Sequence, residues 1–431
     1  MENSNQGAPA QQIVWWGLPR QSPHGLMARL CLAMVATAGF FYVNILPALV
    51  DGLVTGRAYS TAEAGQIGSA NIYGAAIGAL LAVPLAGRLP WRWCCAALLC
   101  ALMAVDFASA LLTAPDWLVW IRGGHGVLGG LLVGIAYSIF ARTHQPAQTF
   151  GVLLVVQYGL GGLGVMWLPN LVPVFGAEVL FWCLMLFSGV SLGLLALLPD
   201  YPVLEPLQVR LQSRSGGIAW WPLLATLAAL FLFQAGNNGP YAVIMGLAKS
   251  HGLALDYITR WLGIAAWLGV VGAVLVIVFS GRAGRLAPLT LAMVLTVFAT
   301  WALLYAGHAG LFAAANCVVG ITWAFVIAYL LGMAAEFDAE GRMAALAGFA
   351  SKMGLASGSL VAAGMVGDGG AASSAYVAML WVAVGALVLA LLLAAGPALL
   401  LDRLRAAPAE RERSPSVSVT QEAADGAAKA V

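Results

Sequence analysis

"IGSANIYGAAIGALLAVPLAGR" (residues 67–88) and "LGIAAWLGVVGAVLVIVFSGR" (residues 262–282) start 195 positions apart and read as one segment used twice. Gly68 falls on Gly263 and Gly74 on Gly269, and one residue of slip aligns Gly87-Arg88 with Gly281-Arg282. The same offset lays Gln157-Tyr-Gly-Leu on Lys352-Met-Gly-Leu, and an offset of 193 lays Asn44-Ile-Leu-Pro47 on Asn237-Asn-Gly-Pro240. Apolar segments match by chance easily, so the near-constant offset carries more weight than any single pairing. A duplicated helical unit in a membrane is expected.

Composition sets the class. Of 431 residues, 61% are hydrophobic and 9% charged, which is outside the range of soluble domains. The net charge of +2 and the lack of a basic cluster argue against nucleic acid as a partner. All six cysteines (Cys31, Cys94, Cys95, Cys100, Cys183, Cys317) lie in or beside apolar runs, without metal-ligand spacing. They read as packing residues, and no cofactor is expected.

A spanning helix takes about 20 apolar residues. Scanning for such runs predicts an all-α membrane protein of twelve transmembrane helices near 29–50, 64–87, 92–113, 117–141, 149–172, 178–199, 219–247, 259–281, 286–306, 310–335, 343–366 and 374–401. They group as two pseudo-symmetric six-helix bundles, 28–199 and 219–401. A polar linker, 200–218, joins them; a tail of 1–27 precedes them, and a disordered tail of 402–431 follows. Arginines crowd one set of loops, whereas the other set holds only Arg57, Lys249 and Arg260. By the positive-inside rule both tails and the linker are cytoplasmic. Trp91, Trp93, Trp117, Trp120, Trp220 and Trp221 fall near span ends, as interfacial anchors do.

These features resemble the major facilitator superfamily over about residues 28–401. "PLAGRLPWR" (84–92) is similar to that family's signature after its second helix, Gly-x-Leu-Ala-Asp-Arg-x-Gly-Arg, and "SGRAGR" (280–285) repeats it after the eighth. Both copies carry glycine, Gly87 and Gly281, at the aspartate position. Gly87, Arg88, Arg92, Gly281, Arg282 and Arg285 are the gating-loop candidates. "RGGHGVLGG" (122–130) is similar to the Arg-x-x-Gln-Gly-x-Gly pattern of proton-coupled members, with His125 at the glutamine position. "GLGGLG" (159–164) matches the antiporter motif only in part. The resemblance implies alternating access, a mid-membrane substrate site between the halves, and helices 2, 5, 8 and 11 at their interface. The resemblance names no substrate; a monomer in the bacterial inner membrane is expected.

Ionisable groups inside spans are costly and mark function by default. They are Asp106, Arg122, His125 and Lys352. Asp106 and Arg122 stand eight residues either side of Ala114, hence at one depth, where they either lock two helices together or work in the pathway. His125 is one turn from Arg122. Lys352 has no acid within a turn and meets either substrate or helix carbonyls and serines such as Ser351. Asn44, Asn71, Tyr73, Gln157, Gln234, Asn237, Asn238 and Asn316 are further polar candidates, and Pro47 and Pro240 free backbone carbonyls near the two Asn-x-x-Pro motifs.

Arg122 and Lys352 as two cavity cations predict a proton-coupled secondary transporter of a small organic anion. The apolar, aromatic helices allow an alternative, a proton-driven exporter of hydrophobic or amphipathic drugs or natural products. An enzyme is not expected. Neither a Ser/His pair nor a metal-binding cluster is legible among the five histidines.

Overall fold

The computed structural model of the protein describes residues 25–85, 90–140, 143, 146–199, 201, 220–279, 284–337, 342–367 and 373–413. Among these residues the chain is helical without a strand. The first apolar stretch is divided into α1 (Leu26–Ala38), α2 (Phe41–Asn44) and α3 (Leu46–Arg57). After it come α4 (Thr61–Leu85), α5 (Trp91–Leu111), α6 (Pro115–Phe140), α7 (Pro146–Phe175) and α8 (Glu178–Leu195). The second half comprises α9 (Trp220–Ser250), α10 (Leu255–Phe279), α11 (Leu286–Ala302), α12 (Ala309–Glu336), α13 (Arg342–Val366) and α14 (Ser373–Arg413).

Nine of these helices are long and apolar enough to cross a membrane. Neither α4 nor α9 is among the nine, although they have 25 and 31 residues. Gln66, Ser69 and Asn71 in the one, and Gln234, Asn237 and Asn238 in the other, lower their apolar character. The first stretch is interrupted for two reasons. Gly39 packs directly on the backbone of Gly129, and Pro47, at the start of α3, cannot donate to the carbonyl one turn back. Helix α14 continues to Arg413, past the point at which the sequence reading began its tail.

Local signals set several of the helix ends. Ser60 and Glu63 form a capping box that starts α4: the Ser60 amide donates to Glu63 Oε2 at 2.8 Å and the Glu63 amide to Ser60 Oγ at 3.1 Å. Arg57 donates to the carbonyls of Leu112, Ser109 and Ala110, placing a cation on the negative end of α5. Asp402 of α14 accepts from the Arg285 and Leu286 amides, capping α11 from a neighbouring helix.

Helices α1–α8 pack among themselves, as do α9–α14, and the two sets meet along α4–α13, α7–α10 and α3–α9. The repeat pairs α4 with α10 and α7 with α13, so the first two seams are symmetry mates. At the end where α3 turns into α4, one apolar cluster spans both sets, running through Leu49, Leu53, Ile67, Ile244, Leu355 and Tyr376. At the end where the chain enters at Leu26 the core divides. One cluster there holds Leu32, Leu99 and Phe140, and a separate one holds Phe233, Leu289 and Leu330. The halves are thus joined by apolar packing at the far end, and the packing separates into two at the near end.

Candidate functional site

The level at which the core divides is where the polar in-span residues gather. Lys352 lies on α13 between Ala347 of the second-half cluster and Leu355 of the shared one, and Phe40 lies between Ala38 of the first-half cluster and Phe41 of the same shared one. The Lys352 ammonium stands over the Phe40 ring, 4.2 Å from its centroid, and so reaches across from one half to the other. Phe40 occupies the break between α1 and α2, where the chain leaves helical geometry (φ −126°, ψ −3°). Among the described residues Lys352 makes no ion pair, and it is half-buried. A lysine at mid-span costs about 2.5–3.5 kcal/mol. A cation–π contact at a half-buried site returns between about 0.5 and 2 kcal/mol. The remainder calls for water or an anion at the ammonium.

A second strand of polar contacts runs through the same level. Gln234 of α9 donates through Nε2 to Ser351 Oγ at 2.6 Å, and its Oε1 accepts from the Trp323 indole at 2.6 Å. Trp323 meets Tyr241 edge to face at 5.5 Å. The Tyr241 hydroxyl donates to the Asn44 carbonyl at 3.3 Å, and Asn44 Nδ2 donates to the Gln157 carbonyl at 3.4 Å. The chain of contacts crosses between the halves from Tyr241 to Asn44. It uses a carbonyl next to the helix break that Pro47 causes.

Asp106, Arg122 and His125 form a different kind of site. Arg122 Nη1 donates to Asp106 Oδ1 at 2.7 Å and to Ser109 Oγ at 3.1 Å, and its guanidinium is flanked by the rings of Tyr42 and Phe181 at 4.9 and 5.4 Å. His125 Nε2 lies 3.3 Å from the same Asp106 oxygen. Asn71 of α4 closes the group: its Nδ2 donates to the Arg122 carbonyl at 3.1 Å and lies 2.9 Å from His125 Nδ1. Asp106, Arg122, His125 and Asn71 are at most 3% exposed, so this cluster is sealed in the first half, whereas Lys352 is not. Asp106 Oδ2, Arg122 Nε and Nη2, and the Tyr42 hydroxyl are buried in the same place without a hydrogen-bond partner among the described residues.

Glycine allows this closeness. On α4 and α6 a Cβ at Gly74 would strike the Gly123 carbonyl, and one at Gly126 would strike the Asn71 carbonyl. No side chain separates the two helices there, so they form a tight pair. The opposite face of α4 meets α13, with Ser69 Oγ 3.0 Å from Ser359 Oγ and the Tyr73 hydroxyl 2.8 Å from Ser357 Oγ. In the symmetry-related seam the Trp267 indole of α10 donates to the Gly159 carbonyl of α7 at 3.0 Å.

The other described candidates bond to backbone carbonyls or to a carboxylate away from this level. Asn238 donates to the Leu355 carbonyl at 2.8 Å, tying α9 to α13, while Asn237 and Asn316 donate to carbonyls of their own helices, Phe233 and Phe312. Arg92 donates to the Leu198 carbonyl at 2.6 Å, and Arg285 lies beside Asp402. Gly87, Arg88, Gly281 and Arg282 lie outside the described residues.

Sequence reasoning did not single out Phe40, Tyr241, Trp323, Asp51 or Lys249. Aromatic residues are too frequent in apolar spans to stand out, and Asp51 and Lys249, 198 residues apart, look like ordinary span-end charges until the fold pairs them at 2.5 Å.

The fold is similar to that of a mutant of the nucleoside transporter NupG, with a TM-score of 0.66 at 14% identity, covering 85% of this chain and 99% of that one. A second structure of the nucleoside transporter NupG gives 0.60 at 16% identity, covering 85% of this chain and 98% of that one. Both neighbours are transporters rather than enzymes. No protein-family model matches the chain, and no curated protein matches it by sequence. Among the described residues nine helices are apolar and long enough to span, so the chain is an integral membrane protein, and its fold is similar to that of these neighbours.

Proposed function

We propose that the protein is a secondary active transporter of the major facilitator type. It moves a small organic molecule by alternating access between two six-helix bundles, with twelve crossings, both termini in the cytoplasm, and a bacterial inner membrane as its setting. A small organic anion is the favoured substrate and a proton the coupling ion. The observation that carries this reading is the Lys352 ammonium, which faces Phe40 across the two halves and has no ion-pair partner among the described residues. A carboxylate or similar group would supply the missing charge, and Tyr241, Trp323 and Gln234 add aromatic and amide groups at that level. With the termini inside, the divided near end of the core is the cytoplasmic end. The described state is then the inward-facing one.

A nucleoside substrate is the second reading. It draws on the NupG likeness and on the aromatic and amide groups near Lys352, which suit a planar base. Thermal unfolding of the purified protein against organic acids, nucleosides and lipophilic cations separates the readings, because a ligand of the folded state raises the melting temperature. Counterflow of the stabilising compound in proteoliposomes then tests transport. Stabilisation by nucleosides but not acids replaces the anion reading; stabilisation by lipophilic cations alone overturns both in favour of a drug exporter.

A further inference from the structure

The hydrogen bonds around Asn71 dictate the protonation state of His125. Asn71 Nδ2 donates to the Arg122 carbonyl, which fixes which end of the amide is nitrogen. The second hydrogen on that nitrogen points to His125 Nδ1, so Nδ1 accepts and the imidazole proton sits on Nε2, facing Asp106. The groups facing His125 are Asp106 from α5, Arg122 from its own helix, Tyr42 from α2 and Asn71 from α4. Asp106 and Arg122 already neutralise each other.

The geometry points to His125 as a proton-binding site whose occupancy is read through Asn71 into the seam between α4 and α13. A proton can bind only at the Nδ1 lone pair, and there it would confront the Asn71 amino group, donor against donor. If the amide turns to offer Oδ1, that oxygen then opposes the Arg122 carbonyl, acceptor against acceptor. Neither arrangement is satisfied while α4 keeps its place on α6. With the Asn71 backbone against Gly126 there is no slack to absorb the change, so α4 moves as a body. Residues two positions either side of Asn71, Ser69 and Tyr73, face the other way and hold α13 through Ser359 and Ser357. Displacing α4 therefore acts on the hydroxyl contacts that join the halves. Protonation of His125 loosens this seam and deprotonation restores it. The inference rests on the alternating-access reading and supplies its coupling site.

The test uses the full chain in lipid nanodiscs, its six cysteines replaced, with spin labels on Trp117→Cys of α6 and Leu311→Cys of α12, which are 67% and 43% exposed at the far ends of the two halves. The distance between the labels is followed from about pH 8 down to about pH 4, through and below the range in which a free histidine titrates. A pH-dependent shift is expected, with its loss in His125→Gln. In Asn71→Asp, a carboxylate accepts from protonated Nδ1, and the midpoint moves up by about one pH unit or more. A shift that persists in His125→Gln, or a midpoint unmoved in Asn71→Asp, overturns the inference, as does a constant distance in the parent. This readout needs no substrate. If no solute undergoes counterflow while the shift persists and follows His125, the transporter reading fails and the proton site stands.

Discussion

Lys249 Nζ lies 2.5 Å from Asp51 Oδ1, joining α9 to α3 across the two halves at the far end. The pair lines a cavity of about 210 Å³ together with Thr55, Met245, Ser250 and Tyr376. It has the placement of a latch: two charges from different halves, close only while that end is shut. Lys249 keeps a 32% exposed side chain, so solvent screens the pair, and its worth is expected near about 0.2–1 kcal/mol. Asp51→Asn should then unfold almost normally but open the far end more often. The measurement is the labelling rate of Met245→Cys, a cavity residue 1% exposed, by a membrane-impermeant maleimide. A faster rate in Asp51→Asn, returned towards the parent value by exchanging the two charges, is expected; an unchanged rate removes the latch.

Arg122 and Asp106 predict a different outcome. Breaking a sealed ion pair by removing one partner leaves a buried charge and costs about 3–5 kcal/mol, whereas removing both charges costs much less. Arg122→Gln should therefore lower the melting temperature sharply, and Asp106→Asn added to it should recover a large part of the loss. Unfolding curves of the three variants check this. If Arg122→Gln melts like the parent and only binding is lost, Arg122 works in the pathway and not as a lock between helices.

Lys352 should behave in the opposite way. The mid-span cost of about 2.5–3.5 kcal/mol exceeds the roughly 2 kcal/mol that the Phe40 contact can return. Lys352→Met is expected to stabilise the fold by about 1 kcal/mol and to abolish counterflow of whichever solute the parent carries, an exchange of function for stability. Lys352→Arg keeps the charge and should retain measurable counterflow. A destabilised Lys352→Met with normal transport contradicts both halves of this expectation.

Two glycines two positions apart on α6, and so on opposite faces of it, provide a packing test. A Cβ at Gly126 would meet the Asn71 carbonyl, while one at Gly124 has nothing within 4 Å. Overpacking costs about 1–3 kcal/mol. Gly126→Ala should lose stability on that scale, and Gly124→Ala should match or exceed the parent, since alanine is the better helix former. Equal melting temperatures for the two variants would mean that α4 and α6 are not held in close contact.

Hydropathy alone was enough to read this chain as a bundle of membrane-crossing helices, and the offset of 195 residues paired α4 with α10 and α7 with α13, the helices that form the two main seams. Counting from Ala114 put Asp106 and Arg122 at one depth, and they meet at 2.7 Å. The helix face was beyond such counting. Arg122 and Lys352 are both cations inside apolar helices, yet one is sealed against Asp106 and the other stands over Phe40 between the halves. In a membrane the lipid and the protein core are equally apolar, so a helix's sequence carries little record of which side packs and which side lines a path. That choice, like the meeting of Asp51 with Lys249, is made by the packing of helices distant in the chain. Sequence determined that the chain is built of apolar, membrane-crossing helices; tertiary structure decided which charges are buried as structure and which are left facing the seam.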